Sequence, residues 1–278
     1  MSGRVLQLLI VPFDVERRDT PMARGPAGLM ARGFQDRLQD RGWEVHLEEA
    51  EIPEGLGKLA TVVAVGRWIA QAVETARARE RLPLVLSGGC LSSVGALAGL
   101  QRLGSGLAVS WIDAHGDFNT PETTRTGYWD GMALATVCGL SLPEAREGIG
   151  LRPLELDRVV HLAGRDFDPL EIESARRLGL TCIPPDRMGT AESLQRLLRF
   201  AEDRRLYLHV DVDGLDPGDA PAAGYPVPGG PSLENVLRSL AVLPAPAAMT
   251  FSALGFDRVD EEEAARTVET CARLVGIP

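Results

Sequence analysis

Short apolar runs alternate along this chain with longer stretches in which apolar residues recur at helical spacing. The runs at residues 5–11, 43–47, 84–87, 107–112, 159–163, 206–212 and 248–254 predict strands. Between them, residues 26–40, 59–81, 131–138, 169–178, 191–202, 232–243 and 261–275 predict helices. Strand followed by helix, repeated, specifies an α/β fold: a mostly parallel sheet covered by helices on both faces. No internal repeat, low-complexity tract or Pro/Gly/Ser linker divides the sequence, so residues 1–278 are expected to form a single domain.

In such a sheet, ligands bind where the strands end at their carboxyl termini. Three of those places are unusually polar: residues 87–93, 113–117 and 211–216. The second places Asp113, His115 and Asp117 at alternate positions after an apolar run, so extended backbone would point all three to one side. The third repeats the design with Asp211 and Asp213. Four carboxylates gathered without a cation would repel one another and raise one another's pKa. One or two divalent cations resolve the conflict, and a donor set of oxygens with one imidazole suits Mn²⁺ or a comparable ion better than a cysteine-rich zinc site. His209 shares the spacing of Asp211, but a single strand histidine is read as packed; His46 and His161 have no motif around them.

Composition narrows the partners. Of 278 residues, 45% are hydrophobic and 24% charged, enough for a sizeable core, and the net charge of −10 argues against nucleic acid or an anionic membrane and in favour of cations and cationic small molecules. No apolar run is long enough to span a bilayer, and no leader pattern stands at the N-terminus, so the expected location is the cytoplasm. Four cysteines without a CxxC pair do not suggest a disulfide framework; Cys138, Cys182 and Cys271 are read as small buried hydrophobes.

At Asp113-Ala-His115-Gly-Asp117 and Asp211-Val-Asp213-Gly-Leu-Asp216-Pro217 the chain resembles the arginase family, or ureohydrolases, through its DAHxD and DxDxxDP motifs. Arg24-Gly25-Pro26, the stretch from Gly164 to Glu171, and Gly224-Tyr225-Pro226 extend the resemblance over the whole chain. It implies a three-layer α/β/α sandwich around about eight mostly parallel strands. It also implies a dimanganese centre that activates a hydroxide against the planar carbon of a guanidino or formimino substrate. Carried over by position, Asp113 and Asp211 would bridge two metals, His115 and Asp213 would complete one site, and Asp117 would belong to the other. Asp168 and Glu171 would meet an α-amino group, unless they cap the helix beginning at Pro169; Asn119 would meet a carboxylate, and Thr126 and Tyr128 would shape the entrance. Family members commonly form trimers or hexamers, so a homo-oligomer is expected.

Three positions depart from the family. Its GGDHS loop supplies a histidine ligand, and here the stretch reads Ser87-Gly-Gly-Cys90-Leu91-Ser92. Counting back from Gly95 puts Cys90 in the histidine's place and Gly89 in the aspartate's; counting from the double glycine puts Leu91 there. We take the first, because a thiol can coordinate and leucine cannot. Asp130 stands where arginases carry a proton-shuttling histidine and would either relay protons or hold a cationic group. The last strand run contains no acid where arginases carry a glutamate for the guanidinium, and Asp257 and Asp260 lie just beyond it. The expected function is metal-dependent hydrolysis of a linear amidine C–N bond. The three departures motivate an alternative, a catalytically silent metal- or ligand-binding scaffold; a deacylase on the same fold is disfavoured by the paired motifs.

Overall fold

The structure is a computed structural model that describes residues 4–15 and 19–276. Eight strands form one sheet: β1 (Arg4–Val11), β2 (Trp43–Glu49), β3 (Leu82–Ser87), β4 (Leu107–Ile112), β5 (Val159–Leu162), β6 (Thr181–Ile183), β7 (Arg205–Asp211) and β8 (Ala248–Ser252). Their order is β2-β1-β3-β8-β7-β4-β5-β6, and every neighbouring pair is parallel. The expected sandwich is therefore the observed fold.

Alternation along the strands divides the apolar residues between two cores. Leu6, Leu8 and Ile10 of β1 face one side with Leu84 and Leu86 of β3; Leu9, Val11 and Val85 face the other. Helices α1 (Gly25–Ala31), α2 (Phe34–Asp40), α8 (Ala191–Ala201), α9 (Leu233–Leu240) and α10 (Glu261–Val275) cover the first face. Helices α3 (Lys58–Ala78), α4 (Ser92–Arg102), α5 (Ala133–Val137) and α6 (Pro143–Ile149) cover the second. Strands β4 and β8 are buried along their whole length, so each Leu, Val or Phe they place in a core contributes about 1.5–3 kcal/mol of transfer free energy.

The elements differ from expectation in six places. The helix expected over residues 26–40 is two, interrupted where Gly33 takes φ 78°. The one expected over residues 131–138 begins as a 3₁₀ turn at Asp130–Met132 and continues as α5. Helices α4 and α6 and the three-residue β6 were not marked by the apolar pattern. The last strand ends at Ser252, where Ala253 turns into the left-handed region at φ 56°. Among the described residues no helix is long and apolar enough to cross a membrane.

What positions the site is the register at the carboxyl ends. Ile112 of β4 pairs with Val210 of β7, and Asp211 of β7 pairs with Ser252 of β8. Asp113 and Asp211 thus emerge side by side from adjacent strands, with the turn after β3 on the far side of β8.

Candidate metal centre

Asp113, 1% exposed, follows directly on β4. Its Oδ1 accepts the His115 N–H at 2.8 Å and its Oδ2 accepts Trp111 Nε1–H at 3.2 Å, which fixes the carboxylate at the strand end. His115 Nδ1 lies 3.2 Å from Asp213 Oδ2 and 3.5 Å from Asp113 Oδ1. Asp213 Oδ1 accepts the Ala114 N–H at 3.2 Å, and Asp211 Oδ1 accepts the Asp213 N–H at 2.9 Å. Asp117 is held at φ 49°, a left-handed conformation that aspartate visits at a strain of about 1–3 kcal/mol.

The electrostatics are those of a cluster awaiting positive charge. Burial and then the neighbouring Asp113 carboxylate push Asp213 up, and the same causes push Asp117 well up; for Asp211, burial acts first, followed by Asp213 and Asp113. Burial is the strongest single influence on Asp113 and acts to raise it, but the His115 hydrogen bond together with the charges of His115, His161 and His209 outweighs it and holds the carboxyl low. His115 is pushed up to about 12 by its carboxylate partners against the opposing effect of burial. One imidazolium cannot balance four carboxylates. Asp117 Oδ2 is buried with no hydrogen-bond partner, a state that costs a buried acceptor about 1–3 kcal/mol, and Asp213 Oδ2 has only the His115 Nδ1 contact at 3.2 Å. Oxygens this short of partners, with ligand atoms of Asp113, His115 and Asp213 all within 4.8 Å of one another, fit a divalent cation.

Cys90 completes the group from the turn after β3. Its Sγ lies 3.0 Å from Asp211 Oδ2 and 3.1 Å from Ser252 Oγ, buried at 3% exposure, and burial pushes the thiol well up. Of the two residues offered by the alternative alignments, Cys90 is the one that lies against the acid cluster. Leu91 lines a separate small cavity with Phe13, Val62 and Ile69. Asp130, pushed up to about 7 chiefly by burial, accepts the Leu91 N–H at 2.8 Å and occupies the space a side chain at Gly89 would need.

These groups open on a cavity of about 510 Å³ that also takes in the other residues singled out from the sequence. Asn119 donates from Nδ2 to Asp168 Oδ2 at 3.2 Å. Thr126 Oγ1 accepts the Tyr128 N–H at 3.2 Å. Tyr128 donates its hydroxyl to Asp14 Oδ1, and Thr20 donates to the other oxygen of Asp14 at 2.7 Å. Glu171 lines the cavity, but its oxygens accept the Phe118 N–H at 2.8 Å and the Asp168 N–H at 2.9 Å. With Asp168 it forms the capping box of α7 (Pro169–Leu178), the capping alternative raised for that segment. Asp257 pairs with Arg24 at 2.6 Å and Asp260 caps α10, so both lie away from the cavity. Cys138 and Cys182 are half-buried and only Cys271 matches the expectation of a fully buried thiol.

Sequence reasoning passed over several neighbours. Tyr225 stands at the rim with its ring 6.5 Å from that of His115. Its Gly-Tyr-Pro context was visible, but nothing assigned it a place. Asp14 was legible only as a polar residue soon after an apolar run. Arg165 donates to the carbonyls of Ala163, Asp213, Gly214, Leu215 and Val227, tying the loop after β5 to the loop after β7.

A parallel α/β sandwich with a carboxylate-rich metal centre at the ends of its middle strands is an architecture of metal-dependent hydrolases. The arginase family model matches residues 6–260, and the chain belongs to the arginase family. It is 31% identical over 243 residues to an arginase of Bacillus caldovelox, covering 81% of each chain. It is 34% identical over 206 residues to the N(omega)-hydroxy-L-arginine amidinohydrolase of Streptomyces lavendulae, covering 74% of this chain and 67% of that one. The crystal structure of arginase from Bacillus cereus superimposes with a TM-score of 0.88 at 28% identity, covering 99% of both chains.

Proposed function

We propose that this protein hydrolyses a guanidino C–N bond of an arginine-type amino acid, arginine itself or a form modified on the guanidine, using divalent metal of the Mn²⁺ type. The observation that carries the reading is one cavity of amino-acid size holding both the bare acid cluster and the Asn119–Asp168 pair. Relatives named for arginine and for its N-hydroxy derivative support the substrate class.

Asp113, His115, Asp117, Asp211 and Asp213 would hold the metal, with Cys90 beside them. When bound, it supplies a Lewis acid that makes water nucleophilic near neutral pH and draws electron density from the group under attack. The chain's own residues do the rest. Asp168, half-buried and facing the cavity, binds the α-amino group, and Asn119 orients the carboxylate beside it. Glu171, with both oxygens on backbone N–H groups, holds Phe118 and Asp168 in place and does not itself touch substrate. Asp130 faces the cavity from the start of α5's preceding turn and is the acid placed to keep a proton for the departing amine. Tyr128, held by Asp14, narrows the entrance in favour of a slender chain.

Metal analysis combined with urea and ammonia release from arginine, N-hydroxyarginine, agmatine and formiminoglutamate tests the reading. Turnover of the first two above the others is expected, because agmatine lacks the carboxylate that Asn119 orients. Metal-loaded protein that releases product from none of the four overturns it and leaves the scaffold reading in its place.

A further inference from the structure

The Cys90 side of the centre differs chemically from the His115 side, and the difference reaches a residue outside both sequence motifs. Ligand atoms of Cys90, Asp113 and His209 all lie within 4.8 Å of one another, in side chains at most 3% exposed. Asp211 Oδ2 is 3.0 Å from the same sulfur.

His209 is oriented as a ligand would be. The β4–β7 register sets it opposite Trp111, and the two rings stack with centroids 3.8 Å apart at 26°. Its Nδ1 is 2.9 Å from Ser93 Oγ, whereas Nε2 has only Ser252 Oγ, at 3.4 Å. In the tautomer that donates from Nδ1 to Ser93, the lone pair stands on Nε2, on the side of Ser252 and Cys90; an outer hydrogen bond of that kind fixes the tautomer of metal-bound histidines. A separate observation suits a cation on this side: Asp117 Oδ2 is buried without a hydrogen-bond partner.

We propose that Cys90, His209 and Asp113 form a mixed sulfur, nitrogen and oxygen metal site, completed by Asp211, that selects a borderline-soft divalent ion of the Zn²⁺ or Co²⁺ type. Thiolate and imidazole favour such ions over Mn²⁺, whereas Asp113, His115 and Asp213 keep a harder donor set. The inference rests on the reading that this cavity binds metal. On binding, the Cys90 S–H bond breaks as the sulfur–metal bond forms, and the thiol proton passes to solvent.

Titration of metal-free protein with Co²⁺ tests this without an activity assay. The expected result is a thiolate-to-cobalt absorption band in the near ultraviolet that Zn²⁺ displaces and Cys90→Ser abolishes. His209→Gln is expected to keep the band but weaken Co²⁺ affinity by about 10-fold or more and alter the visible ligand-field spectrum. Long-range ¹⁵N NMR of the wild type, on which folding of the variant has no bearing, should show the His209 Nε2 resonance shifting on Zn²⁺ binding. An unchanged His209 resonance, a cobalt complex without the sulfur band, or a folded His209→Gln with unaltered affinity overturns the proposal. If Mn²⁺ still binds and guanidino turnover persists in any of those cases, the proposed function stands while this site falls; binding of no ion at all removes both.

Discussion

At position 89 a single methyl group would matter. A Cβ there would meet the Asp130 carboxylate at 2.6 Å, so the glycine and the acid share one space, and the acid anchors the turn through the Leu91 N–H. Gly89→Ala should therefore cost about 1–3 kcal/mol as overpacking and lower metal uptake by displacing Cys90. In Gly89→Ala/Asp130→Ala the two effects should be far from additive, measured by denaturant unfolding as a double-mutant cycle. The sequence marked both positions as departures from the family, but taken singly. That one side chain fills the room left by the other depends on a fold contact between residues 41 positions apart, which no local pattern encodes. A second prediction concerns Glu171, pushed from 4.5 to about 7 chiefly by burial. A carboxyl raised in the folded state contributes stability that is fully present below pH 4.5 and is lost as pH rises through 7. Glu171→Gln does not titrate, so its stability relative to wild type should improve by about 2 kcal/mol between pH 5.5 and 8.5. Unfolding curves at the two pH values check this; a constant gap would mean that the backbone N–H groups hold the carboxylate charged throughout.

Among the elements, α4 was the one most hidden. Its residues Ser92 to Leu100 are buried on every side, so no polar stripe marks a helical period, and its serines and glycines resemble a loop. The small residues have a packing reason. A Cβ at Gly99 would lie 2.4 Å from the Ala70 carbonyl oxygen of α3, so the two helices meet backbone to backbone. Gly99→Ala should gain about 1 kcal/mol of helix propensity and lose more to the clash, giving a net destabilisation of about 1–2 kcal/mol by thermal unfolding. The strands, in contrast, were legible almost to the residue, because apolar runs of the central sheet are uninterrupted; β6 escaped because three residues make no run. The break between α1 and α2 was missed because the apolar spacing continues through Gly33 while the backbone there turns into the left-handed region.

For the molecule as a whole, the proposed metal ligands come from segments 98 residues apart at Asp113 and Asp211, so an ion bound to the folded state would have no equivalent site in the unfolded chain. Mn²⁺ or Zn²⁺ at a hundred times its dissociation constant should add about 2.7 kcal/mol, and chelation should lower the melting temperature by roughly 5 °C or more. A melting temperature indifferent to chelator would mean that the acids are equally content without a cation. The arginase motifs made the family and the acid cluster readable in advance. The partners of Tyr128 and the orientation of His209 were not, since both are set by the neighbouring segments and strands of the fold.

The sheet order carries one more consequence. β8 lies between β3 and β7, with β1 and β2 beyond the former and β4, β5 and β6 beyond the latter. Among the described strands it is the last in chain order and the only one that joins the two halves by pairing. Cys90 belongs to one half; Asp113 and Asp211 belong to the other. Before β8 is made, no strand pairs the half that carries Cys90 with the half that carries Asp113 and Asp211, so the thiol joins the acid cluster only once residues 248–252 have been synthesised and have paired with β3 and β7.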